Sequence, residues 1–265
     1  MLRLLIATAL LLQEPAGEKF DIRVRPVEGD KIEITDSWTN TFRGSLGEER
    51  LNTTSRGGRR LVVKMSKVEK GALTRKIVEV VDSYIETQDV ETGKFIRKDQ
   101  PLNGRLVTIE RKDGKEQRTG VDGVPEAEQM TMALEDPLTK LFPPNPVKIG
   151  ETWEITGEGL KLIFTNGDFT DGKITAVLSD VKEIGGRKCA FIRTAYDVNG
   201  KSPDGTTRKL SLSGTLTVWI DRGYVLAMSQ SGRLTMADAD PKTSQPNGEA
   251  VITGELKATL LEPSK

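Results

Sequence analysis

PEAEQMTMALEDPLTKLFPPNPVKIGETWE, residues 125–154, is where the chain changes style. On either side, short alternating runs are punctuated by glycine turns; here a helical period takes over. Pro125 suits the first helical position, where its missing N–H costs nothing. Glu126 and Glu128 place negative charge in the first turn, where the helix dipole favours it. Ala127, Met130, Leu134, Leu138 and Leu141 recur at helical spacing and form one apolar stripe. Asp136-Pro137 interrupts that stripe. Asp136 reads as a fresh N-cap and Pro137 as the first residue after it, so the spacing predicts a kinked or two-part amphipathic helix. Pro143, Pro144 and Pro146 then end it and force an extended run over 147–155.

Working outward, both flanks read as antiparallel β. Phe20, Ile22 and Val24 alternate with charged residues, as do Leu61, Val63 and Met65. Ile32, Ile34, Trp38 and Phe42 share one parity, with Asp36 and Asn40 as the polar exceptions. Residues 73–88 fit a helical face, yet Ile77, Val78, Val80, Val81 and Ile85 are β-branched, and strand is the better reading. Gly44 to Gly47 and Arg56 to Gly58 read as breakers. Beyond the helix, strands are expected over 160–165, 173–181, 189–198, 210–220, 224–236 and 251–261. Asn-Gly, Asp-Gly and Gly-Gly pairs separate several of them. The expected architecture is mainly antiparallel β (α+β): two β-meander halves, 18–123 and 146–265, forming curved sheet around a central helix and Pro-rich connector, 124–145.

The first residues, MLRLLIATALLLQEPAGEKF, place Arg3 before an apolar run over 4–12 broken only by Thr8. Such a run is shorter than the roughly 20 residues a membrane span needs. It fits a secretory signal over 1–17, so the mature chain is expected to be exported, periplasmic or extracellular, with no integral membrane span. Cys189 is the single cysteine, which excludes an intrachain disulfide and, lying far from the apolar run, lipid attachment there. It alternates with Phe191 and reads as a small buried hydrophobe.

Composition narrows the chemistry. Hydrophobic residues make up 36% and charged residues 29%, a globular balance; Lys plus Arg and Asp plus Glu each total 39, so nucleic acid is not an expected partner. The chain has no histidine. Ser-His-Asp and Cys-His nucleophiles are thereby excluded, with nearly all zinc catalysis. The run from Ala195 to Ser202 matches a relaxed phosphate-loop pattern, but turn chemistry follows it at Pro203-Asp204-Gly205 where a helix is required. Asn166, Asp168 and Asp171 share one loop and Asp238 and Asp240 another, without the calcium-loop pattern; they read as Asx turns. Arg56-Gly57-Gly58-Arg59-Arg60 reads as a solvated hairpin end. No cofactor, metal or catalytic residue is expected, and the chain is not read as an enzyme.

At Pro101-Leu102-Asn103-Gly104, and again over 146–153, PVKIGETW, the chain resembles an uncharacterised family of exported bacterial β-rich proteins. That family's shape is similar to the curved sheet with an inner helix of periplasmic lipoprotein carriers. The resemblance implies an envelope location and an apolar-ligand groove, and carries no catalytic residues. The single helix here departs from the several covering helices of the carriers.

Three functions are therefore in view. The first is a non-catalytic exported envelope protein that holds an apolar ligand such as a lipid between helix and sheet, lined by Met130, Leu134, Leu138 and Leu141. The second is a structural or protein-interaction module, partnered with an envelope protein, whose core the same stripe fills. The third is an enzyme whose carboxylates the sequence does not locate. Plugging the core is the ordinary use of an amphipathic helix beside a sheet, and the expected signature is a large stability loss on Leu134→Ala and Leu138→Ala.

Overall fold

A computed structural model describes residues 17–46, 48–164, 169–201, 205–237 and 246–261, with the backbone alone at Leu46, Ala127 and Pro246. The expected signal segment up to residue 16, residues 166–168, Pro203-Asp204, Asp238 and Asp240 lie outside the described residues.

The alternating runs pair into one 12-stranded sheet. In chain order the strands are β1 (Lys31–Leu46), β2 (Glu49–Glu69), β3 (Ala72–Gln88), β4 (Phe95–Asp99), β5 (Leu106–Lys112), β6 (Lys115–Thr119), β7 (Thr152–Ile155), β8 (Asp171–Ile184), β9 (Arg187–Lys201), β10 (Thr207–Trp219), β11 (Tyr224–Ala237) and β12 (Pro246–Leu260). Their lateral order is β6-β5-β3-β2-β1-β12-β11-β10-β9-β8-β7, with β4 pairing beside β5 on β3. All pairings are antiparallel. The last strand returns beside the first, so Trp38 of β1 lies opposite Gly57 of β2 and Gly254 of β12. That pairing joins the two β halves through continuous backbone hydrogen bonds.

One long helix does not form. The stretch after Val124 makes a single turn, α1 (Glu126–Gln129), then an irregular run, then a 3-10 turn (Pro137–Leu141). The break has a local cause. Arg118 on β6 donates to the Met132 carbonyl at 2.7 Å, and Glu116 accepts the Leu134 N–H at 3.3 Å. These backbone groups are satisfied by side chains of the sheet rather than by helical partners. Asp136 caps the second turn, accepting the Leu138 N–H at 2.9 Å, with Pro137 following it. Trp153 Nε1–H donates to the Leu141 carbonyl at 2.9 Å and fixes the turn's far end.

Two further expectations change. The strand expected over 160–165 is replaced in its described part by α2 (Glu158–Ile163), entered through Gly157 at φ 52, with Leu160 fully buried. Phe20 to Val24 forms no strand, only a bridge from Phe20 to Val147. Backbone bonds at Phe20 and Arg25 tether the segment, and the Arg25 guanidinium donates to the Ile220 carbonyl at 3.0 Å.

Apolar side chains on one sheet face gather into two cores. The larger joins β7 to β10 with Phe20, Ile22, Leu141, Phe142 and Leu160. The smaller joins β2, β3 and β5 with Leu102, Val121, Val124, Met132 and Leu134. The connector between β6 and β7 supplies covering residues to both. Between the cores run the middle strands β1, β12 and β11, whose inward residues Ile34, Trp38, Met228 and Leu256 are only half-buried.

Candidate functional site: an apolar cavity with a charged end

The half-buried middle strands are the floor of a cavity of about 870 Å³. Period-2 alternation puts Ile32, Ile34, Asp36 and Trp38 of β1 on this face, beside Leu61 and Val63 of β2, Met228 of β11, and Leu256 and Ala258 of β12. The connector forms the roof with Met132, Leu134, Pro137 and Leu138. A volume of this size lies within the roughly 300–1,000 Å³ of small-molecule sites, which are mostly apolar with a few placed polar groups.

The four stripe residues separate. Leu134, 1% exposed, belongs to the smaller core and also borders the cavity. Leu138 is half-buried, borders the cavity and packs on the larger core. Leu141 is fully buried in the larger core, away from the cavity. Met130 is 42% exposed and borders neither. A continuous helix would have put all four on one face; the break after α1 sends them to four environments.

Ser37, Gln230 and Glu255 line the cavity from the middle strands, and a second set of polar groups lies beside the connector. Arg59 points inward from the middle of β2 and grips Asp36 of β1, its Nε and Nη2 lying 2.9 and 2.6 Å from Asp36 Oδ2. The Arg56–Arg60 run is thus interior strand, not a hairpin end. Its glycines are spaces for rings: a Cβ at Gly57 would approach the Trp38 indole to 2.7 Å, and one at Gly58 the Tyr84 hydroxyl to 3.1 Å.

Lys76 of β3 and Asp136 of the connector also line the cavity. Burial lowers the Lys76 ammonium's pKa below the usual lysine range, only partly offset by Asp136 and Glu116, while Arg118 adds to the lowering. Burial likewise raises the Asp136 carboxyl above the usual range, against the opposing pull of the Leu138 N–H, Lys76 and Arg59. Each charge is desolvated more than its surroundings compensate. Among the described residues no carboxylate lies within 4.0 Å of the Lys76 ammonium. The neighbouring charges are occupied. Arg118 meets Glu116 at 3.0 Å, Glu135 takes Arg111 and Lys140 at 3.0 and 3.1 Å, and Glu128 accepts the Leu102 N–H at 2.8 Å.

Elsewhere, residues 195–201 of the relaxed phosphate-loop match lie within strand β9, and the next described element is strand β10. Asp171 begins β8. Cys189 is fully buried, its thiol raised by burial and 3.4 Å from the Arg187 carbonyl. Among the described residues no three His, Cys, Asp or Glu side chains converge to hold a metal ion, and no helix is long and apolar enough to cross a membrane. The sequence reading missed Lys76, Arg59 and Asp36 as cavity residues. A charge on the apolar parity of each strand was the available signal.

No family model matches the chain, and no curated protein matches it. Among the solved structures that are distantly similar are two. One, described as lipid–protein interactions in lipovitellin, is 10% identical over 90% of this chain, with a TM-score of 0.48. The match spans 26% of the lipovitellin chain, so this protein corresponds to about a quarter of its length. The other is DynF from the dynemicin biosynthesis pathway of Micromonospora chersina, 9% identical over 95% of this chain and 88% of that one, with a TM-score of 0.26.

Proposed function

We propose that this chain is a non-catalytic, exported binding protein that holds one apolar ligand, lipid-like in chemistry, between the middle strands and the connector. One observation carries the reading: the cavity of about 870 Å³ lies between two filled cores, over strands whose inward Ile34, Trp38, Met228 and Leu256 are apolar yet half-buried. A sheet that needed only a core would bring its middle together as it does its ends, because close packing is the ordinary state of an interior. Apolar side chains left half-wet here gain when a ligand removes them from water, at roughly 25 cal/mol per Å². Export rests on Arg3 and the apolar run over 4–12.

Titration with an uncharged acyl fluorophore tests the reading. One-to-one saturation with a change in tryptophan emission is the expected result, since Trp38 lies on the cavity wall. Linear, non-saturating signal with unmoved tryptophan emission would overturn it.

A further inference from the structure

The charged end of the cavity narrows the ligand's chemistry, provided that the cavity holds an apolar ligand at all. We infer that the ligand is an amphiphile with a zwitterionic headgroup, its anionic oxygens meeting Lys76 and its ammonium meeting Asp136, while the acyl chain runs along the apolar floor.

Charge complementarity at the connector end selects this headgroup. Glu135 is paired with Arg111 and Lys140, and Glu128 accepts the Leu102 N–H. Arg59 of β2 is held by Asp36 of β1, and Arg118 by Glu116 within β6. Lys76 and Asp136 remain, opposite in sign, lining the same cavity, and more than 4.0 Å apart. A direct ion pair would close the gap and leave a ligand nothing to bind. The gap instead presents one cation and one anion to whatever enters.

A ligand with a single negative charge satisfies Lys76 but sets like charge beside Asp136. A single cation does the reverse. A headgroup carrying both signs meets both, keeps the cluster neutral, and forms two charge-assisted hydrogen bonds. Both titrating groups are drawn toward their neutral forms by burial. Bringing an opposite charge to each reverses that penalty, and a desolvated site makes such contacts stronger than water would.

Three single-chain probes with the same tail test this: lysophosphatidylethanolamine, lysophosphatidic acid and monoacylglycerol, each competing with the uncharged acyl fluorophore. The zwitterion is expected to bind about tenfold more tightly than either of the others, a difference typical of one well-placed charge-assisted contact. Lys76→Met should bring the zwitterion down to the monoacylglycerol level. Asp136→Asn keeps an acceptor for the Leu138 N–H and should move the preference to lysophosphatidic acid. Equal binding of zwitterion and monoacylglycerol by the unaltered protein would overturn the headgroup assignment and leave the apolar reading standing. Tightest binding of lysophosphatidic acid by the unaltered protein would also overturn it. Binding of none of the three would overturn both. The unaltered protein alone separates these outcomes, so a variant that fails to fold does not protect the inference.

Discussion

Trp38 and Gly57 face each other across β1 and β2, and the indole occupies the space where any other residue at 57 would carry its Cβ. A Cβ there would sit 2.7 Å from two ring carbons. Gly57 has an ordinary φ, so the constraint is steric rather than conformational. The ring in turn shields a strand interior that glycine alone would leave weak. Gly57→Ala should therefore displace Trp38 and cost about 1–3 kcal/mol through overpacking. Chemical denaturation with the tryptophan signal checks it; an unchanged midpoint would show that the ring moves freely.

Leu134 and Leu138 lie four residues apart but should respond differently. Leu134 is sealed in the smaller core, and Leu134→Ala should cost about 2–5 kcal/mol through lost transfer energy and a cavity. Leu138 is half-buried at the cavity's edge, so the same change should cost about 1–2 kcal/mol, scaled to the smaller area it removes from water. Leu138→Ala should also weaken acyl-probe binding. Paired denaturant melts and probe titrations decide this, and equal stability losses would contradict the division.

This division marks where the sequence was legible. Asp136 announced its cap through its own Pro137, and β3 through its β-branched residues, because both signals are local. The α1 break was not local. Arg118 and Glu116, on a strand that ends before the connector begins, take backbone groups that the helical period alone would pair with one another. The Arg56–Arg60 run misled for the same reason: its glycines read as a turn until Trp38 and Tyr84 are known to cover them. The stripe indicated correctly that the segment covers the sheet. Which residue met which core depended on partners tens of residues away. α2 was read as strand since Leu160, Leu162 and Phe164 alternate as well as they spiral.

Tyr224 anchors the N-terminal segment. Its hydroxyl donates to the buried Asp30 carboxylate at 3.0 Å and accepts the Val27 N–H at 3.2 Å. Tyr224→Phe leaves both without that partner and should cost about 1–3 kcal/mol, the usual penalty for a buried polar group left unpaired. Hydrogen exchange should report faster exchange at Val27 before the sheet opens. Protection at Val27 equal to that of the unaltered protein would contradict the anchoring role.

Alkaline pH should destabilise the fold. Tyr196 is buried, and burial raises its phenol to about 12 against an opposing hydrogen bond from Thr194; burial also raises Tyr224. In the unfolded chain a tyrosine ionises near about 10. Between about 10 and about 12 the unfolded state has released a proton that the folded state keeps, so rising pH favours unfolding. Below that window Tyr196 adds no pH dependence. Urea midpoints should fall across it, and Tyr196→Phe should shallow the fall. A midpoint that rose with pH there would contradict the assignment.

The most direct test fills the cavity. Ala258 lies on β12 opposite Ile34, half-buried on the cavity wall. Ala258→Trp places an indole where the acyl chain should lie. Native mass spectrometry after incubation with the uncharged acyl probe, compared between this variant and the unaltered protein, reads occupancy directly. The expected result is a one-to-one complex for the unaltered protein and a bare chain for Ala258→Trp, with both equally folded by circular dichroism. Equal probe occupancy in the two, or none in either, would contradict a ligand seated between the middle strands and the connector.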